Sequence, residues 1–112
     1  MMTIDDLAAY GANVDEGLTR CMGNAEFYLK LVGTTIDAKE FAALHDAVAA
    51  GDLDAAFEAA HALKGTMGNL ALTPIYEPVC EITELLRART EMDYTELLGR
   101  IDAAHDALRA LA

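Results

Sequence analysis

Apolar side chains recur at helical spacing along most of the chain, and no segment shows sustained alternation with a period of two. In residues 38–50, for example, Phe41, Leu44 and Val48 follow one another at intervals of three and four residues. The same spacing continues in three later segments: 53–69, 74–89 and 94–111. Short connections between such helices favour antiparallel neighbours. The pattern therefore predicts an all-α fold, an antiparallel up-down-up-down four-helix bundle over about residues 37–111.

The first third of the chain contains shorter helical segments, each with a capping residue at its start and a glycine at its end. These starts and stops, in chain order, are Thr3 and Gly11, Asp15 and Gly23, and Asn24 and Gly33. The additional short N-terminal helices, about residues 3–33, are predicted to cover one end or one side of the bundle. Residues 1–112 would then form a single domain, which suits a chain of 112 residues.

The bundle helices carry start and stop signals of their own. Asp37, with Glu40 three residues later, is a capping-box-like pair that predicts the start of the first helix. Gly51 and Asp52 predict a two-residue turn into the second helix. Three signals mark the later helices: Thr73 as an N-cap, Pro74 as the first helical residue, and Asp93 as the cap of the last helix. Pro78 lies inside the third helix and is expected to shorten or bend its first turns.

Charge narrows the classes of partner. The chain has 19 acidic and 8 basic residues, a net charge of -11. This balance argues against nucleic acid and against an anionic membrane surface, since both attract clustered Lys and Arg. No apolar run is long enough for a transmembrane helix, and no secretory signal is visible at residues 1–6, so we expect a cytoplasmic protein. Cys21 and Cys80 are read as two buried, reduced thiols, although a disulfide stays open.

The helix over residues 53–69 carries the candidate chemistry. Its expected core-facing residues are Leu53, Phe57, Ala60, Leu63 and Met67. His61 falls on the flank of this arc, and Gly65 and Gly68 follow on its face one and two turns later. Each glycine inside a helix costs up to about 1 kcal/mol relative to alanine. Two glycines beside one histidine therefore suggest a helix surface left bare for close approach by another protein.

A neutral imidazole is a nucleophile near pH 7, and its phosphorylated form carries about two negative charges. Lys64, three residues after His61, is close enough on the helix surface to offset part of that charge.

Residues 61–70, HALKGTMGNL, resemble the signature of the histidine-containing phosphotransfer family: His-x-Leu-Lys-Gly, with a further glycine three residues later. Weaker likenesses extend over most of the chain: residues 17–20, residues 27–29, the Gly51-Asp52 turn, Cys80 and Glu84. Two positions depart from the family pattern. Ala71-Leu72 stands where the family often has another glycine, and Pro78 lies within the next helix.

The resemblance implies a phosphorelay intermediate of two-component signal transduction. His61 would accept a phosphoryl group from the aspartate of a receiver domain, such as that of a hybrid sensor histidine kinase. It would then donate the group to the aspartate of a second response regulator receiver. Lys64 would stabilise the phosphohistidine, and Gly65 and Gly68 would form the receiver docking surface. Asp54 and Glu58 share the His61 face, where they would help to select a receiver or stabilise a protonated imidazole.

The same resemblance sets the expected cofactors and partners. The divalent metal is expected in the partner receiver domain, so we expect no cofactor in this chain. No Gly-rich nucleotide loop is present, so we expect a phosphocarrier without ATP-dependent kinase activity of its own. Family members are commonly monomeric, and this chain has no long heptad repeat that would predict a dimer. We therefore expect a monomer. Leu18, Met22 and Phe27 are candidates for an apolar rim of the docking surface.

Two other classes of function remain open. The first is a metal or cofactor bundle, because Glu58 and His61 have the Glu-x-x-His spacing of such sites, although no second copy is present. The second is an interaction module that binds receivers without carrying phosphate. Gly65 and Gly68 could instead allow close helix packing, and Gly68 could help to end its helix. His45 and His105 have no comparable neighbours and are expected to be solvated or half-buried.

Overall fold

The computed structural model describes residues 1–112 and contains seven helices and no strand. The helices are α1 (Ile4–Tyr10), α2 (Val14–Arg20), α3 (Ala25–Ile36), α4 (Glu40–Ala49), α5 (Leu53–Asn69), α6 (Thr73–Arg87) and α7 (Thr95–Arg109). The predicted all-α fold is confirmed.

Helices α4 to α7 form the bundle. Consecutive helices pack against each other, α4 on α5, α5 on α6 and α6 on α7. The His45 side chain of α4 pairs with Asp102 of α7 at 2.7 Å, so the first and last helices of the bundle also meet. Short turns place α5 between α4 and α6, and this arrangement leaves one long face of α5 open to solvent.

The N-terminal helices pack on the bundle and share its core. Leu7, Tyr28 and Val32 are fully buried. The Tyr28 hydroxyl donates a hydrogen bond of 2.7 Å to the Leu70 carbonyl, at the end of α5. A Cβ atom on Gly17 would lie only 2.4 Å from the Tyr28 ring, so this position of α2 requires glycine. The close approach brings α2 beside the C-terminal part of α5.

Three predicted helix boundaries in this part of the chain are wrong. Asn13, and not Asp15, caps α2: its side chain accepts a hydrogen bond of 3.2 Å from the Glu16 backbone N–H, and Asp15 is already helical. Helix α3 continues through Gly33 to Ile36, because Thr35 and Ile36 are buried and their packing outweighs the low helix propensity of one glycine. Asp37 does not cap α4. Its backbone N–H donates to the Thr34 carbonyl and closes the last turn of α3, and α4 begins at Glu40 without a side-chain cap.

The turn into α5 is confirmed. Gly51 has a positive φ of 71°, and the Asp52 carboxylate accepts a hydrogen bond of 3.0 Å from the backbone N–H of Ala55. The start of α6 is shifted by one residue, since Leu72 is the N-cap and Thr73 is already helical. Pro78 does not shorten α6. Its side chain is buried, and this packing offsets the hydrogen bond that a proline cannot donate.

The start of α7 is also displaced. Tyr94, and not Asp93, occupies the N-cap position, and the helix begins at Thr95. The Asp93 carboxylate still accepts hydrogen bonds from the Thr95 backbone at 2.9 Å and from the Thr95 hydroxyl at 2.5 Å. These bonds to the charged form hold the pKa of the Asp93 carboxyl below its usual value. Asp93 therefore stabilises the first turn of α7 from the residue before the N-cap, and not from the N-cap itself as predicted.

Candidate functional site

His61 lies in the middle of α5 with its side chain exposed to solvent. The buried residues of this helix are Ala56, Ala59, Ala60, Leu63 and Met67. Leu53 and Phe57, which were expected in the core, are only partly buried. The buried arc is thus rotated by roughly 40° from its predicted position, and the rotation turns His61 further toward solvent. The discrepancy arises because α4 and α6 flank α5 on both sides, whereas periodicity alone cannot locate the neighbouring helices.

No hydrogen bond or ion pair engages the His61 ring, although both other histidines have one. His45 is bound to Asp102 at 2.7 Å. The Nε2 atom of His105 donates to the Ile36 carbonyl at 2.7 Å. Both nitrogens of His61 are therefore free of protein partners, which is the state that a nucleophile or phosphoryl carrier requires.

The expectation for His105 is wrong. Its side chain is buried, with 7% exposed, and its ring stacks on Phe41 with centroids 3.7 Å apart. Arg109 approaches the same Nε2 atom at 3.4 Å. Because that nitrogen already donates to a carbonyl, we count the arginine as a close neighbour and not as a second hydrogen bond. His105 occupies the packed junction between α4 and α7, which a search for charged neighbours along the chain does not detect.

One contact of His61 was not predicted from the sequence. The Phe57 and His61 rings stack, with centroids 5.5 Å apart and planes inclined by 17°. The Arg87 guanidinium, at the end of α6, lies 5.0 Å from the centroid of the Phe57 ring. The four-residue spacing of Phe57 and His61 was the available signal, since such residues are neighbours on a helix surface. The assignment of Phe57 to the core arc concealed it.

An open groove of about 570 Å³ runs from His61 along the C-terminal half of α5. Its lining residues are Glu16, Arg20, His61, Lys64, Gly65, Gly68, Asn69, Ala71, Thr73, Tyr76 and Glu77. Arg20 of α2 donates to Glu16 at 2.6 Å and to Asn69 at 3.3 Å, so the N-terminal helices contribute directly to this wall. The groove is thus lined by the predicted site residues His61, Lys64, Gly65 and Gly68. Its other lining residues were not predicted from the sequence.

Lys64 differs from the arginines around it. Arg20 is paired with Glu16, Arg87 with Glu84, and Arg89 with Asp54. No carboxylate lies within 4.0 Å of the Lys64 ammonium. Its charge is therefore available to an incoming anion without the loss of an existing ion pair.

The two glycines of α5 have different surroundings. A Cβ atom on Gly65 would meet no atom within 4 Å, so the helix surface beside His61 is bare. A Cβ atom on Gly68 would lie 2.9 Å from Cε1 of Tyr76. Close packing against α6 is thus the steric reason for Gly68. The neighbouring Cys80 thiol raises the pKa of the Tyr76 phenol.

Asp54 and Glu58 lie on the exposed side of α5, and neither is bonded to His61. Asp54 instead pairs with Arg89, beyond the end of α6. Glu58 and His61 are both exposed, whereas a bundle metal site needs ligands directed inward. No group of three or more His, Cys, Asp or Glu side chains is arranged to hold a metal ion. Both cysteines are free thiols, Cys21 buried and Cys80 only partly buried.

Comparisons with known proteins give one match. The family model of the Hpt domain, the histidine-containing phosphotransfer domain, matches residues 38–111. This range covers α4 to α7 and includes His61, Lys64 and both glycines, but it excludes Arg20. No curated protein and no solved structure matches the chain. None of the seven helices is both long enough and apolar enough to cross a membrane.

Proposed function

Because the chain belongs to the Hpt domain family, whose members transfer phosphoryl groups in two-component signalling, we propose that His61 is the phosphorylated residue. It accepts the group from the aspartate of one receiver domain and donates it to the aspartate of another. The observation that carries this proposal is the exposed His61 ring, which has no hydrogen-bond partner and borders the groove beside the unpaired Lys64. The side chains of His45 and His105 are both hydrogen-bonded within the protein.

The transfer exchanges one bond to phosphorus for another. The unprotonated ring nitrogen of His61 attacks the phosphorus of the receiver's aspartyl phosphate. An N–P bond forms, the P–O bond to the aspartate breaks, and the aspartate leaves as a carboxylate. The return step reverses these changes with the carboxylate of the second receiver as the nucleophile. Such in-line transfer depends on positioning and charge stabilisation, and the divalent ion is held by the receiver.

The surroundings of His61 suit this role. The Lys64 ammonium has no competing carboxylate and is available to the transferred oxygens. Bare backbone at Gly65 lets the receiver approach the imidazole without meeting a side chain. The role of Gly68 in docking is indirect, because its missing side chain makes room for Tyr76, which lines the groove.

The test is phosphotransfer from a panel of labelled receiver domains to the wild-type chain, to His61→Gln and to His45→Gln. We expect an acid-labile, alkali-stable label on the wild type and on His45→Gln, and none on His61→Gln. His45 is the matched control because it is also partly exposed. Label that persists on His61→Gln would move the site elsewhere. Tight receiver binding without any label would favour an interaction module that carries no phosphate.

A further inference from the structure

The Phe57 ring that stacks on His61 is itself in contact with Arg87. The Phe57 and His61 rings are nearly parallel, at 17°, and their centroid separation of 5.5 Å falls in the range of offset stacking. Arg87 lies 5.0 Å from the Phe57 centroid and is itself bound to Glu84 at 3.2 Å. The imidazole is thus in contact with a phenyl ring that α6 holds in place from outside α5.

We propose that Phe57, held by Arg87, is a positioning residue that fixes the plane of the His61 imidazole for phosphotransfer. The inference rests on the function proposed above and adds to it a residue that acts through His61. Phe57 stacks against the face of the imidazole, and the His61 side chain is exposed to solvent. It has no polar group and takes no part in the bond exchange.

The plane of the ring matters because a nitrogen lone pair lies in that plane. In-line attack on phosphorus requires the lone pair to point along the axis of the breaking P–O bond. A histidine side chain commonly has its ring orientation set by a hydrogen bond from one nitrogen. His61 has no such bond within the chain. Stacking on Phe57 restricts rotation of the ring without occupying either nitrogen.

Arg87 explains why Phe57 can serve as a fixed surface although it is only partly buried. A guanidinium over an aromatic ring is attracted by the negative face of that ring. Arg87 also pairs with Glu84 of the same helix, at 3.2 Å. Together these contacts link the orientation of His61 to the end of α6, although His61 and Phe57 both belong to α5.

The experiment compares four variants of the full chain: Phe57→Leu, Phe57→Tyr, Arg87→Gln and Phe41→Leu. NMR of the His61 ring protons reports the stack directly, because a parallel phenyl ring shifts those resonances. We expect Phe57→Leu to abolish this shift and Phe57→Tyr to preserve it. Phosphotransfer at saturating receiver should slow by about 2- to 10-fold in Phe57→Leu and recover in Phe57→Tyr. Arg87→Gln should give a smaller loss in the same direction.

The receiver concentration at half-maximal rate should stay unchanged, which separates orientation of His61 from docking of the receiver. Phe41→Leu makes the same substitution in the other phenylalanine–histidine stack and should not slow transfer. Unchanged His61 resonances in Phe57→Leu would overturn the proposal, as would an equal loss of rate in Phe41→Leu. If the wild type takes no label at all, the proposed function fails, and the NMR measurement still decides whether Phe57 orients the ring.

Discussion

The chain contains two phenylalanine–histidine stacks that are used in opposite ways. Phe57 and His61 lie four residues apart on the exposed side of one helix. Phe41 and His105 come from two helices and meet in the buried junction between α4 and α7. His61 has no hydrogen-bond partner, whereas Nε2 of His105 donates to the Ile36 carbonyl at 2.7 Å. The residue types are the same, and only the position in the fold separates them.

The comparison shows what makes a histidine available for chemistry. Burial of a polar ring requires a hydrogen-bond partner, and that partner occupies the nitrogen that would otherwise react. His105 therefore contributes to the association of α7 with the α3–α4 segment. His61 contributes no such bond, so its imidazole is free to accept a phosphoryl group. Stacking is compatible with both roles because it uses the face of the ring.

The largest expected effect is a difference in the free energy of unfolding between a His105 variant and a His61 variant. His105→Ala removes a buried ring and leaves the Ile36 carbonyl without its donor, so the free energy of unfolding should fall by about 2–4 kcal/mol. His61→Ala should change the same quantity by less than about 0.5 kcal/mol, because the side chain is exposed. Chemical denaturation of both variants measures this contrast.

A second substitution at the buried position isolates the hydrogen bond. His105→Phe keeps an aromatic ring against Phe41 but cannot donate to Ile36, so about 1–3 kcal/mol should be lost. Both His105 variants should still accept phosphate at temperatures where they remain folded. Loss of labelling in folded His105→Phe would break the comparison, since it would assign a functional role to the buried stack.

The next-largest effect tests whether Lys64, the unpaired cation beside His61, contributes to phosphotransfer. Lys64→Gln should slow phosphotransfer by about 5- to 10-fold, because a partly exposed cation next to a doubly charged phosphoryl group contributes on the order of 1 kcal/mol. Lys39→Gln is the matched control, since Lys39 is an exposed lysine without an ion pair, in the connection before α4. Stopped-flow measurement with one receiver gives both rates. Equal rates for the two variants would remove Lys64 from the site.

Local sequence was sufficient for much of this picture. Helical periodicity predicted four bundle helices, and the Gly51-Asp52 turn was placed correctly because both of its signals act within a few residues. His61 and Lys64 were selected for the same reason, since their relation is fixed by one helix. The end of α3 was misplaced because Ile36 is held by packing from distant parts of the chain.

The missing parts of the site have a common cause. Arg20 reaches the groove only because Gly17 lets α2 approach Tyr28, which is bonded to the end of α5. Arg87 reaches Phe57 only because α6 runs back along α5. His105 is buried because α7 closes the bundle against α4. Each of these contacts joins residues from different helices, and helix pairing is not encoded in the spacing of one segment.

The glycines provide a smaller test of what the exposed face of α5 requires. Gly65→Ala should raise the free energy of unfolding by about 0.5–1 kcal/mol, because the new methyl group meets no atom and alanine is the better helix former. Gly68→Ala should gain less or lose stability, since its methyl group would displace the Tyr76 ring. Thermal unfolding of both variants gives the difference. A bulkier side chain at the open position, Gly65→Gln, should slow transfer if the receiver approaches there, and an unchanged rate would contradict that docking route.

The smallest expected effect concerns His45. This histidine has a bonded partner, as His105 does, but its side chain is partly exposed to solvent. His45 pairs with Asp102 at 2.7 Å, and both side chains are a little over two-fifths exposed, at 43% and 44%. Such a pair is screened by solvent, so His45→Gln should lower the free energy of unfolding by only about 0.2–1 kcal/mol. At a pH where His45 is protonated, added salt should shrink that loss, whereas the loss in His105→Ala should persist because a buried contact is little screened. Denaturation of both variants at low and high salt makes the comparison. If a bond to a protein partner is what separates structural from reactive histidines, His45→Gln should also leave the labelling of His61 unchanged, although the His45 side chain is 43% exposed.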